Sequence, residues 1–214
     1  MNDIEKKIAA GVAALGQALP GDAVGKLERL LRELERWNKR VNLTSIRDPA
    51  EMVSGHVLDS LALRPFLEGA RIVDVGTGAG FPGLPLAIAE PQRQFLLLDS
   101  NARKIAFVKH MVADLALRNV TAVQARAEEF VADPLFDTVL VRALAPLHGI
   151  VGLCAHLVAE NGVLLAAKGK YPAKELDDLN KHPADWDFRV IELQVPDLPQ
   201  QSRHLVSLRK ADTA

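Results

Sequence analysis

Residues 72–87, IVDVGTGAGFPGLPLA, constrain this chain more than any other stretch. A β-branched apolar run ends in an acid, breaks into glycines and then resumes with helix-like apolar spacing. Such a run is that of a strand buried on both faces. Strand, glycine turn and helix, in that order, mark the place where a parallel α/β sheet holds a nucleotide-like ligand.

From Gly69 onward the chain repeats this alternation. The pattern predicts strands at about 70–75, 94–99, 120–124, 136–141 and 162–168. Helices are predicted at about 82–90, 101–117, 147–159 and 172–180. Two further strand-like runs, 188–195 and 204–208, are joined by a proline-rich loop with no helix between them, so they pair antiparallel. A mainly parallel sheet of seven strands with helices on both faces follows. Closed by an antiparallel hairpin, such a sheet resembles the Rossmann-like fold of class I methyltransferases.

Residues 1–66 read instead as a helical extension, and 67–214 as the ligand-binding domain. Leu27, Leu30, Leu31, Leu34 and Val41 form one apolar helix face, for which Asp22 is a candidate cap. Asp48-Pro49 opens a short helix, and a third runs through His56, Leu58 and Leu61 to about Phe66. Lys6 and Lys7 before Ile8–Leu15 imitate a secretory signal. The spacing of Ile4, Ile8, Val12, Leu15 and Leu19 is helical, however, which favours an amphipathic helix. Trp37 is expected to pack the extension onto the main domain.

A chain of 214 residues buries roughly 70% of its unfolded surface and needs no disulfide staple. The single cysteine, Cys154, is read as a small packing residue. With no run of 18 apolar residues, a soluble, cytoplasmic monomer is expected. Net charge is −1, so a nucleic-acid partner requires a local basic patch. Residues 26–47 supply one: Lys26, Arg29, Arg32, Arg36, Lys39, Arg40 and Arg47 stand against Glu28, Glu33 and Glu35, seven against three. Arg103, Lys104, Lys109 and Arg118 form a second set. The alternative for both is a solvated helix face with paired charges.

The glycines fit two registers. Gly76, Gly78 and Gly80 make GxGxG, the methyltransferase form; Gly78, Gly80 and Gly83 make GxGxxG, the dinucleotide form. Asp74, just before the first glycine, suits the ammonium of an amino-acid-bearing cofactor and repels a pyrophosphate. No second substrate domain is expected from the alternation read above. Both points favour S-adenosylmethionine over NAD. Asp99 ends the next strand, where a carboxylate accepts hydrogen bonds from ribose hydroxyls. It can also cap the following helix, although Ser100 serves that purpose equally well; both Asp99 and Ser100 are counted among the expected cofactor residues. After the third strand, Ala127 and Glu128 can read an adenine edge, or Glu128 can simply sit at a positive helix end.

Trp37–Thr44 (WNKRVNLT), Asp48-Pro49, His56–Ser60 (HVLDS) and Asp74–Gly83 together resemble the RsmG family, also called glucose-inhibited division protein B. Leu98-Asp99-Ser100, Arg142-Ala143 and Lys168-Gly169 extend the similarity to nearly the whole chain. The resemblance implies S-adenosylmethionine-dependent methylation of N7 of one guanine in the 530 loop of 16S rRNA. The substrate would be either that RNA or the small ribosomal subunit. The family's cofactor contacts fall on Gly76, Phe81, Ala127, Glu128 and Arg142. Val141 stands where the family often has serine, and Gly55 where it often has a basic residue.

Guanine N7 carries its own in-plane lone pair, so the resemblance implies no general base and no catalytic acid–base residue. RNA contacts are expected from Lys39, Arg40, Arg103, Lys104 and Lys168. Arg142 is open to three ligand roles, on the cofactor, the guanine or a phosphate, and also to a structural ion pair. His56 and Asp59 share a helix face but are too few to hold a metal. The competing readings are an NAD-dependent oxidoreductase and a noncatalytic RNA-binding assembly factor.

Overall fold

The computed structural model describes residues 1–181, 186–198 and 202–211. Among the described residues there are seven strands: β1 (Arg71–Val75), β2 (Gln94–Asp99), β3 (Val120–Gln124), β4 (Phe136–Arg142), β5 (Val158–Lys168), β6 (Trp186–Leu193) and β7 (Arg203–Lys210). They form one sheet in the order β3-β2-β1-β4-β5-β7-β6. The first five are parallel, and β7 lies antiparallel between β5 and β6. The expected strands and closing hairpin are therefore present, with β5 four residues longer at its start. Part of the expected hairpin loop, 199–201, lies outside the described residues.

The strands alternate side chains between two buried layers, as a period of two requires. Leu140, Val163, Leu165 and Leu205 face one cluster; Val139, Val141, Leu164, Ala166 and Val206 face the other. The second layer is closed by α7 (Leu147–Cys154) and α8 (Ala173–Lys181). Cys154 is fully buried there, and burial pushes its thiol up to about 12, so it packs as an apolar residue.

The first layer is covered by α5 (Gly83–Ala89) and α6 (Ala102–Asp114), together with the N-terminal helices α1 (Asp3–Ala14) and α2 (Ala23–Val41). Ile8, Leu27, Leu30 and Leu34 share one buried cluster with Ile72 and Phe107. Trp37 meets Phe107 edge-on at 5.5 Å and His110 at 5.2 Å. The signal-like segment is thus a packed amphipathic helix, begun by a capping box between Asn2 and Glu5. No helix among the described residues is long and apolar enough to cross a membrane.

Two expected caps differ. Asp22 occupies the N-cap of α2 without a side-chain hydrogen bond, and its carboxylate turns to Lys26 at 3.2 Å. For α6 neither Asp99 nor Ser100 is the cap. Asn101 is, its Oδ1 accepting from the N–H groups of Arg103 and Lys104. The expected short helix is α3 (Pro49–Met52), capped by Asp48, whereas the expected third helix is broken into a π-helical turn (Val53–Leu58), α4 (Asp59–Leu61) and a 3-10 turn to Phe66. The π turn carries Gly55 and His56 to the edge of the sheet described next.

Candidate active site

Strand order reverses between β1 and β4, and the crevice beyond their carboxyl ends is where α/β sheets bind ligands. The turn after β1 is built for close approach. Gly76, Gly78 and Gly80 take φ of +70°, +60° and +87°. Around Gly78 a Cβ would meet nothing nearer than the Gly76 carbonyl at 4.0 Å, so this stretch of backbone faces open space. Gly83 is the reverse case. A Cβ there would fall 2.1 Å from Leu97, because α5 starts hard against β2.

The acid before the glycines is not in the crevice. Asp74 is 1% exposed. Its Oδ2 accepts from the Thr77 hydroxyl (2.6 Å) and the Gly83 N–H (2.8 Å), while its Oδ1 has no partner among the described residues. Burial raises its carboxyl to about 6, against those two hydrogen bonds and the Arg142 charge, which favour ionisation. Asp74 therefore holds the turn from beneath.

Asp99, although largely buried, is the acid that lines the crevice. Its Oδ2 accepts from the Gly78 N–H at 2.9 Å and its Oδ1 from the Asn101 N–H at 2.8 Å. Each oxygen keeps a further acceptor site for a ligand hydroxyl. Around it lies a cleft of about 420 Å³, lined by Gly76, Asp99, Ser100, Lys104, Ala127, Glu128 and Arg142. Six of the nine expected cofactor residues thus come together. Gly78, Gly80 and Phe81 do not line this cleft. Phe81 is buried, its ring stacked on that of His56 at 4.7 Å.

A second cleft, of about 380 Å³, opens beside the first and shares Arg142 and Ala143 with it. His56, Asp59, Lys168, Arg203 and His204 line it, with apolar walls from Leu63, Ala167 and Leu193. Asp59 binds two arginines at once: Oδ2 accepts from Arg142 at 2.9 Å, and Oδ1 from Arg203 at 2.8 Å. The Arg142 guanidinium lies 6.0 Å from the Phe81 ring centre. At the junction Ala143 is held at φ +52°, a left-handed conformation disfavoured for a residue with a Cβ.

His56 is fixed from the extension. Its Nε2 lies 2.9 Å from the Thr44 hydroxyl, which also accepts from the Ile46 N–H. Thr44 is itself set by Asn38, whose side-chain amide bonds both the Thr44 N–H and the Thr44 carbonyl. Burial, with the Arg142 charge, lowers His56 to about 4, so the ring is neutral at pH 7.

Of the expected RNA contacts, Lys39 pairs with Glu35 at 3.2 Å, and Lys104 reaches Asp99 at 4.0 Å. Lys168 is committed to Glu175 (2.7 Å) and the Ala145 carbonyl (2.9 Å). Along α2, Lys26, Arg29, Arg32 and Arg36 also have carboxylate partners. Arg40 and Arg103 are exposed, with no ion pair to a described residue.

A model of the GidB family, rRNA small subunit methyltransferase G, matches residues 23–206. The chain belongs to the GidB family. A ribosomal RNA small subunit methyltransferase G of Haemophilus influenzae is 46% identical over 201 residues, covering 92% of this chain and 98% of its own. That of Nitrosococcus oceani is 45% identical over 206 residues, covering 96% and 94%. Among solved structures, the magnesium protoporphyrin IX methyltransferase of Synechocystis, with bound SAM, superposes with a TM-score of 0.59 at 14% identity, covering 90% of this chain and 98% of that one. The fold of this GidB chain is accordingly the class I methyltransferase fold. Sequence reasoning passed over Arg203 and His204, which carry no motif. It placed Asp59 in the His56–Ser60 stretch and beside His56, with too few ligands for a metal, but gave it no arginine partners.

Proposed function

We propose that this chain transfers the methyl group of S-adenosylmethionine to N7 of a guanine in small-subunit rRNA. The observation that carries this reading is the pair of clefts meeting at Arg142 and Ala143. The first suits the cofactor: its volume is that of a nucleoside-sized site, and Asp99 and Glu128 offer acceptors for ribose hydroxyls and an adenine amine. Gly76 forms part of the wall, with Ser100 and Ala127 beside it, while Gly78 and Gly80 set the turn behind and the Gly78 N–H holds Asp99. Phe81 acts from behind through His56 and Arg142. Family membership weighs against the NAD reading and against a noncatalytic factor.

When bound, the cofactor supplies an electrophilic methyl on a sulfonium. The residues here need only place the acceptor and keep the junction hospitable. The Asp59 carboxylate neutralises Arg142, so the shared wall does not repel a cation. His56 stays neutral and adds no charge. N7 needs no base, and holding it in line can lower the barrier by up to about 7–11 kcal/mol. Phosphate contacts are assigned to Arg40 and Arg103, with Lys39, Lys104 and Lys168 nearer their own carboxylates. Calorimetry with S-adenosylmethionine and with NAD, followed by transfer of labelled methyl to small-subunit RNA, tests the reading. Binding of the first ligand and label in RNA are expected; binding of NAD alone would overturn it.

A further inference from the structure

Tyr171 is the only tyrosine of the chain and is 58% exposed. Left in water, such a ring contributes little to the fold. Its position is specific. It lies in the short turn between β5 and α8, two residues beyond Gly169, which lines the second cleft with Lys168. Its ring meets that of His204 edge-on, at 5.4 Å and 81°, and His204 lines the same cleft.

The turn is anchored on three sides. Lys168 is bonded to Glu175 and to the Ala145 carbonyl, the Ser202 hydroxyl donates to the Gly169 carbonyl at 3.3 Å, and Pro172 is buried. Tyr171 is thus an open aromatic ring on a fixed base at the rim of the second cleft. His204, in contact with it, has a buried Nδ1 with no hydrogen-bond partner among the described residues, and Arg203 lines the same cleft.

We propose that Tyr171 is a stacking platform for a base flanking the target guanine. This rests on the reading of the second cleft as the seat of that guanine. A base that enters the cleft leaves its own stack, and its neighbour loses a partner. An aromatic ring at the rim replaces that partner, as single-stranded RNA recognition commonly requires. The contact is tolerant of sequence because every base has a π-face.

The test uses the full chain, with small-subunit rRNA and intact small subunits as substrates. Tyr171→Ala and Tyr171→Leu are expected to raise KM for RNA about tenfold, within the range for one lost base–aromatic stack. Their kcat and their affinity for S-adenosylmethionine should stay within twofold of wild type. Tyr171→Phe and Tyr171→Trp should keep the wild-type KM. The leucine variant separates stacking from mere apolar packing. A leucine variant with wild-type KM, or a tryptophan variant as weak as alanine, would overturn the platform. If the wild type methylates RNA and every variant matches it, the platform alone fails. If the wild type methylates no RNA, the reading beneath it fails too.

Discussion

Asp74→Asn tests the electrostatics under the glycine turn. The carboxyl is buried and raised from 3.8 to about 6, chiefly by desolvation. A group whose folded value exceeds its unfolded one contributes stability in full below about pH 3.8 and loses it as pH rises through about 6. The gap is worth about 3 kcal/mol, of which about 1.4 kcal/mol falls between pH 5 and pH 8. His56 works in the opposite sense. Lowered from 6.5 to about 4, it contributes stability above pH 6.5 that is lost as pH falls through 4. In the wild type the two slopes largely cancel. The asparagine keeps an oxygen to accept from Thr77 and Gly83 but cannot ionise, so it exposes one slope. Urea unfolding of the cofactor-free protein at pH 5, 6, 7 and 8 should show the variant gaining about 1.4 kcal/mol on the wild type across that range. A difference that does not change with pH, or that falls, would refute the reasoning.

Three other substitutions test separate joints of the structure. Asp59→Ala leaves the Arg142 and Arg203 guanidiniums half-buried and unneutralised by it, which should cost about 2–3 kcal/mol in denaturant unfolding and weaken S-adenosylmethionine binding in calorimetry. Unchanged cofactor affinity would contradict the role given to that carboxylate. Trp37→Ala removes the ring packed on Phe107 and His110 and should cost about 3 kcal/mol, with residues 1–66 and 67–214 still unfolding in one transition by circular dichroism. Two separate transitions would mean that the extension is a tethered module. Gly78→Leu must hold a side chain at φ +60°, costing about 1–2 kcal/mol, and places it where the turn faces open space. A folded protein that no longer binds S-adenosylmethionine is expected, and retained binding would remove the loop from the cofactor site.

The sheet was legible because its information is local. Each strand announces itself by an apolar run, each crossover by a helical period, and the hairpin by the lack of a helix. Asp99, Glu128 and Arg142 were legible for the same reason, each ending or following a recognisable strand. What joins Asp59 to Arg142 and Arg203 is not local, since the partners lie 83 and 144 residues away. That junction follows from β7 running antiparallel beside β5. Its start, pairing His204 with Lys168, then lies at the carboxyl edge where the parallel strands end. The Trp37–Thr44 motif was recognised, but its physical content needed coordinates: Asn38 fixes Thr44, and Thr44 holds His56. Asp74 was misplaced because spacing along a strand does not say whether a carboxylate faces a ligand or the turn above it.

The most direct measurement is the position of the new methyl group. Small-subunit RNA from cells lacking this activity would be incubated with the purified protein and S-adenosylmethionine, and its fragments mapped by mass and by cleavage at N7-methylguanine. One guanine carrying one added methyl at N7, absent when either protein or cofactor is left out, is the predicted result. Methyl on another atom or on several bases, or RNA left unmodified while the protein binds the cofactor, would contradict it.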